Sequence, residues 1–286
     1  MNPNIYIHGS KLKRKASEDS AADLVKALGY YNDWRAKTLH ITERKHSDIN
    51  LLVKYLNEYK DLAEPIFDSR ENSAQEVLQP SILEEFFEYL FCNIDSAVGT
   101  TVGVREPSHG YIDLAFNPKD LSELMTKPSF TVRRKDHDFI IGTRLQLHLK
   151  VISGTTGMTK ITAEINDQHE DIVVPAIAIE CKRYLERNML DECAGTAEKV
   201  KSATPYCLYF VVAEYLKMDE GSPELTKIDE VFVLRKQRNS DRSAPGFVAK
   251  PICPELICEI FDLSVKHLRR VWWNPNSALT TGKLFG

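Results

Sequence analysis

Residues Asp171–Pro205, DIVVPAIAIECKRYLERNMLDECAGTAEKVKSATP, decide how this chain folds. Ile172 to Ile179 is a short apolar run rich in β-branched residues, which reads as a buried strand. It ends in Glu180-Cys181-Lys182. Side chains alternate across a strand, so Ala178, Glu180 and Lys182 share one face and Ile177, Ile179 and Cys181 the other. One face is therefore core, while the other carries a carboxylate and an ammonium two residues apart. A helix follows from about Asn188 to Ser202, with Pro205 just beyond its end. Cys207 to Ala213 (CLYFVVA) is a second buried strand, which makes the segment a β-α-β unit.

Upstream, Phe139 to Val151 (FIIGTRLQLHLKV) alternates apolar and polar residues from Arg144 onward, the mark of a half-buried strand. The Gly- and Thr-rich stretch Ser153–Gln168 predicts a hairpin loop joining it to the strand of Glu180. Asp138 then stands at the start of one strand, beside the Glu180 and Lys182 of the next. That grouping has a chemistry. Phosphodiester cleavage uses a divalent ion to polarise the phosphoryl oxygen and to acidify the attacking water. Magnesium takes oxygen ligands, usually one or two carboxylates completed by water and substrate phosphate. Asp138 and Glu180 supply the carboxylates, and Lys182 is placed to orient the water and offset charge on the phosphate. Asp113, in the short strand Gly110–Phe116, is the rival first acid, and Asp136 a weaker one. Asp138 is preferred because an apolar strand follows it directly. A Glu-x-Lys pair by itself also fits a salt bridge capping a sheet edge.

Composition bounds the rest. Hydrophobic residues are 43% and charged residues 27% of 286, values of an ordinary globular protein with ample core. No apolar run approaches the ~20 residues of a membrane span. The polar start MNPNIYIHGSKLKRK has no signal-peptide core, so a cytoplasmic location is expected. The six cysteines show no C-x-x-C pairing, which argues against a zinc site and a disulfide framework. A net charge of −4 leaves nucleic-acid binding open, because basic residues can gather in one cleft.

The N-terminal portion is helical from Ala21 to Lys60 and ends at Pro65, giving a helical region over residues 1–65; Met1–Ser10 is expected to be extended or disordered, and Lys11–Lys15 a solvated basic tail. Residues 66–286 hold the remainder, joined to it in one compact domain. A linker, IFDSRENSAQ, carries Arg70, which is placed to meet a backbone phosphate. From Glu76 to Asn93 a helix is expected, with Ser81 and Glu84 as a capping box and Pro80 just outside it. Ile82, Leu83, Phe86, Phe87 and Leu90 form its wide apolar stripe. Glu84 and Glu85 flank the stripe; either can lean into a site, but capping or solvation is the expected role of both. Further basic candidates for DNA contact are Arg133, Arg134 and Lys135, then Lys236 and Arg238, with Arg242 beyond them. Glu230–Arg235 is another strand and Glu255–Val271 an amphipathic helix.

The order helix, strand with Asp138, strand with Glu180-Cys181-Lys182, helix, strand resembles the PD-(D/E)XK nuclease core. More sharply, the chain resembles one subunit of the heterodimeric type II restriction endonucleases of the BbvCI kind. Five stretches carry the likeness: EPIFDSRENSAQEVLQPSILEEFFEYLF, KDHDFIIG, IVVPAIAIECKRYLERNMLDECAGTAE, ATPYCLYFVVAEYLK and WWNPNSAL. The resemblance implies an α/β fold with a mixed central sheet flanked by helices, an N-terminal helical region and a C-terminal helical extension. It also implies Mg²⁺ as cofactor, double-stranded DNA as substrate and a second, similar subunit as partner. In that family each subunit cuts one strand of a short asymmetric site. The sequence departs from the motif at one point: His137, not proline, precedes Asp138. A repair or recombination nuclease with the same core, and a DNA-reading subunit without turnover, are the alternatives.

Overall fold

The computed structural model describes residues 6–18, 21–70, 73–126, 129–149, 168–270, 272 and 275–283. Helices α1 (Ile7–Glu18), α2 (Ala22–Leu39), α3 (His46–Asp68), α4 (Ser73–Phe91) and the short α5 (Ile94–Val98) come first. Strand β1 (Val104–Phe116), helix α6 (Leu121–Thr126), β2 (Phe130–Leu149) and β3 (Gln168–Leu185) follow. Helix α7 (Arg187–Ala203), β4 (Leu208–Leu216), β5 (Glu230–Val233), α8 (Pro254–Arg269) and α9 (Pro275–Thr281) complete the chain. The strands lie in the order β1-β2-β3-β4-β5. β1, β2 and β3 run antiparallel in sequence, and β3, β4 and β5 are parallel. The sheet is mixed, as the resemblance implies.

Helices cover both faces. Phe139, Ile141, Ile177, Ile179, Cys181, Phe210 and Val212 share one core with residues of α1 to α4 and α8. Phe91 of α4 stands 5.5 Å from Phe139 and 5.8 Å from Phe261 of α8. Ala178, Tyr209, Val211 and Ala213 form the opposite face with Leu190, Cys193, Ala197 and Val200 of α7. The apolar stripe of α4 is fully buried. Each such side chain contributes about 1.5–3 kcal/mol.

Several local expectations are corrected. Ile7–Ser10 belong to α1, and the Lys11–Lys15 run continues that helix rather than forming a tail. The cause is a buried polar network: His8 Nδ1 donates to Ser81 Oγ at 2.9 Å, and its Nε2 accepts from the Tyr59 hydroxyl at 2.5 Å. Burial beside Lys60 lowers His8 to about 3, so the ring is neutral. Pro65 lies inside α3 and Pro80 inside α4; each removes one backbone bond, and the surrounding packing holds the helix through it. Ser81 is consequently no N-cap, and its hydroxyl donates to the Leu78 carbonyl. Glu84 and Glu85 are buried rather than solvated. Glu85 accepts from the Gly9 amide and from the hydroxyls of Tyr31 and Tyr89. Most of the expected loop Ser153–Gln168 lies outside the described residues.

Two irregularities shape β2. At Gly142 the register against β3 shifts, and a Cβ there would lie 2.2 Å from the Val174 carbonyl oxygen, so only glycine fits. β1 also makes one parallel pairing with β3, Gly110 with Val173. The second irregularity is a bulge. Ile140 pairs with Glu106 and His137 with Ser108, so Asp138 and Phe139 together face the single Pro107. Proline has no N–H to give a ladder, which makes it a natural partner for a bulge.

Candidate active site

The bulge positions Asp138. Pairing of β2 with β3 ends at Phe139 and Ile179, so Asp138 stands inside a long strand at the point where the two part, not at a strand start. There Oδ2 of Asp138 accepts the Cys181 amide at 2.6 Å, replacing the missing backbone partner. Glu180 and Lys182 lie on β3 at the same place, paired with Val211 and Ala213 of β4. Lys182 Nζ is 3.3 Å from Glu180 Oε2 and 3.8 Å from Asp138 Oδ2. Two carboxylates and one ammonium thus converge where β3 emerges between its neighbours.

The electrostatics separate the two acids. Burial raises Asp138 to about 6, reinforced by the charge of Glu180 and, more weakly, of Glu84, against the opposing pull of Lys182. Burial also pushes Glu180 upward, but the hydrogen bonds from His137 and Lys182 and the charge of Lys182 hold it below the ordinary value. For Lys182, burial favours the neutral amine, yet Asp138 and Glu180 prevail and hold it above its usual value, fully protonated. Glu180 is therefore the more firmly ionised acid.

The rival acids are elsewhere. Asp113 is exposed and paired with Arg133, and Asp136 is paired with His109 on the surface. Glu84 binds Lys11 at 3.0 Å.

The proposed DNA-contacting residues lie in three regions. Arg133, Arg134 and Lys135 sit on the β1–β2 pair; Arg134 meets Glu170 at 2.7 Å and Lys135 meets Glu192 of α7 at 3.5 Å. Arg70 pairs with Asp23 at 2.8 Å. Lys236 is exposed with a φ of 47°, and Arg238 pairs with Asp219. Arg242 binds Asp68, which also binds Arg183 on β3. Arg235, which the sequence places in the same basic segment, is 2% exposed and belongs to the interior. It joins Glu214 at 2.9 Å and Glu64 at 3.0 Å, and Lys60 joins the same two acids at 2.8 and 2.7 Å. This neutral tetrad ties α3 to β4 one residue from the partner of Lys182.

Sequence reasoning missed His137. Its Nδ1 lies 2.9 Å from Glu180 Oε1, its side chain is fully buried, and Tyr209 packs edge-on at 6.0 Å. The signal available was the replacement of the motif's proline by a group able to donate.

A mixed sheet between helical layers, with acids and a lysine at a parting of strands, defines a protein of the restriction-endonuclease class. The family model of the Bpu10I restriction endonuclease matches residues 75–244, more than half of the chain, and the chain belongs to that family. It is a type II restriction endonuclease. The solved structure titled "native BbvCI A2B2 tetramer at low resolution" is similar, with a TM-score of 0.69 and 22% identity over 91% of this chain and 94% of that one. That likeness shows the fold. No curated protein sequence matches. Among the described residues, no helix is long and apolar enough to cross a membrane.

Proposed function

We propose that this chain is one subunit of a sequence-specific DNA endonuclease and hydrolyses one strand of a short asymmetric site, leaving a 5′-phosphate. Asp138 and Glu180 are the metal-holding acids and Lys182 the catalytic cation. The observation that carries the reading is their convergence within 3.3 to 3.8 Å of one ammonium.

The donor set fits magnesium. Among the described residues, no group of three or more His, Cys, Asp or Glu gathers to enclose an ion. Two hard oxygen donors leave room for water and phosphate oxygens, as magnesium requires, and would not close a zinc site. When bound, the ion polarises the phosphoryl oxygen and acidifies the attacking water. Lys182, fixed between the acids, presents positive charge where the phosphate develops negative charge. The hydrogen bond from Cys181 keeps Asp138 at the mouth of the strand. Arg133, Arg134, Lys135, Arg70, Lys236 and Arg238 are the proposed backbone contacts, and a second similar subunit in the same cytoplasm cuts the other strand. That the similar solved structure is titled a tetramer of two kinds of chain supports a multi-subunit assembly.

The test is cleavage of a plasmid by the chain assembled with its partner. Mg²⁺ or Mn²⁺ supports cutting, and EDTA abolishes it. Lys182→Ala slows this subunit's strand at least ~10²-fold, the typical contribution of positioned charge at a reacting group. Efficient cutting in EDTA, or a Lys182→Ala variant at full rate, contradicts the reading.

A further inference from the structure

His137 has no role in the scheme above, yet the fold reserves a niche for it. The bulge at Asp138 and Phe139 lets both His137 and Asp138 approach Glu180, although neighbours in a regular strand point to opposite faces. The imidazole rests against Gly110 of β1, where a Cβ would lie 2.9 Å from its Cδ2 and 3.0 Å from its Nε2. A larger residue at position 110 would displace the ring. Tyr209 of β4 closes the other side, its ring at 77° to the imidazole.

The niche is not a means of satisfying the histidine. Among the described residues, Nε2 of His137 is buried with no hydrogen-bond partner. An unsatisfied buried polar atom destabilises the fold, and a glycine inside a strand adds an entropic cost of its own. An apolar side chain would fill the same space without the first cost. What offsets it is the hydrogen bond from Nδ1 to Glu180 Oε1 at 2.9 Å. Glu180 accepts there, so Nδ1 carries the proton. With Oε1 tied down, Oε2 is the oxygen turned to Lys182 at 3.3 Å.

We infer that His137 is a positioning residue for cleavage: by donating Nδ1–H to Oε1 of Glu180 it fixes the rotamer that presents Oε2 to the metal and to Lys182. The inference rests on the assignment of Glu180 as a metal ligand. Hydrogen-bonded supports of ligating groups typically govern metal affinity or activity by about 10–100-fold.

The experiment compares His137→Ala, His137→Asn and His137→Gln in the assembled protein, with Glu180→Ala alongside. Mn²⁺ binding is followed by loss of the free-ion electron paramagnetic resonance signal, and nicking is measured across Mg²⁺ concentration. His137→Ala weakens Mn²⁺ binding and raises the half-saturating Mg²⁺ by about 10–100-fold. Asn, whose amide nitrogen reaches the place of Nδ1, restores most of both. Gln, whose amide lies at the level of Nε2, does not. Gly110→Ala, which displaces the ring, moves both readouts in the direction of His137→Ala. If His137→Ala leaves Mn²⁺ affinity and the Mg²⁺ profile unchanged while Glu180→Ala is inactive, the positioning role is overturned and the site stands. Equal losses in Ala, Asn and Gln that track a lowered melting temperature reduce His137 to packing and also overturn it. Cutting by Glu180→Ala at full rate overturns the site itself.

Discussion

Replacing Asp138 by asparagine should stabilise the protein and inactivate it. The carboxyl is raised from 3.8 to about 6, first by burial and then by the charge of Glu180. The folded state therefore holds the Asp138 proton more tightly than the unfolded chain does. Stability from this group is fully present below pH 3.8, falls between 3.8 and about 6, and is absent above that. The difference amounts to about 3 kcal/mol at neutral pH. The side chain is 28% exposed, and solvent screening reduces the expected gain to about 1–3 kcal/mol. Asparagine retains an oxygen to accept the Cys181 amide, so the bond at 2.6 Å can persist. Thermal unfolding in EDTA is the assay, since any bound metal would reverse the sign. At ~2–4 °C per kcal/mol for a large domain, the variant should melt several degrees higher at about pH 8. The gap should close by about pH 3.5, below the unfolded value. A wild-type protein that melts higher than the variant at the alkaline end would mean that the Lys182 contact outweighs burial and repulsion, refuting the ordering of effects.

Other outcomes follow from the same geometry. Lys60→Met leaves Glu64 and Glu214 with one cation between them, and chemical denaturation should show a loss of about 3–5 kcal/mol. Alanine at Arg133, Arg134 and Lys135 together should weaken binding to all DNA sequences alike. It should also flatten the salt dependence by about one in slope for each phosphate left unneutralised, read from fluorescence anisotropy across salt. Asp113→Asn should cut at the wild-type rate in a plasmid assay, because its carboxylate faces Arg133 on the surface.

The central β-α-β unit is legible because its residues obey local rules. Ile172–Ile179 and Cys207–Ala213 are apolar and β-branched, and the helix between them is amphipathic. Strand alternation alone places Glu180 and Lys182 together on one face. Asp138 can be selected by its adjacency to an apolar run, but its presentation depends on a bulge opposite Pro107, which is a relation between two strands and leaves no mark in either. The helical region misleads where polar residues are interior. Glu84 and Glu85 are expected at a cap or in solvent, yet both are buried against partners from distant parts of the chain, as are His8 and Lys60. Pro65 and Pro80 look like breakers, but tertiary packing carries both helices through them. His137 escapes notice because the carboxylate it supports lies 43 residues away.

The most direct test follows both strands of an end-labelled duplex cut by the assembled protein when this chain carries Glu180→Ala. The expected result is a nick: one strand stays intact at all times while the partner's strand is cut at its normal rate, and specific binding is retained. Cleavage of both strands by the Glu180→Ala assembly would contradict the assignment of Asp138, Glu180 and Lys182 as this subunit's active site.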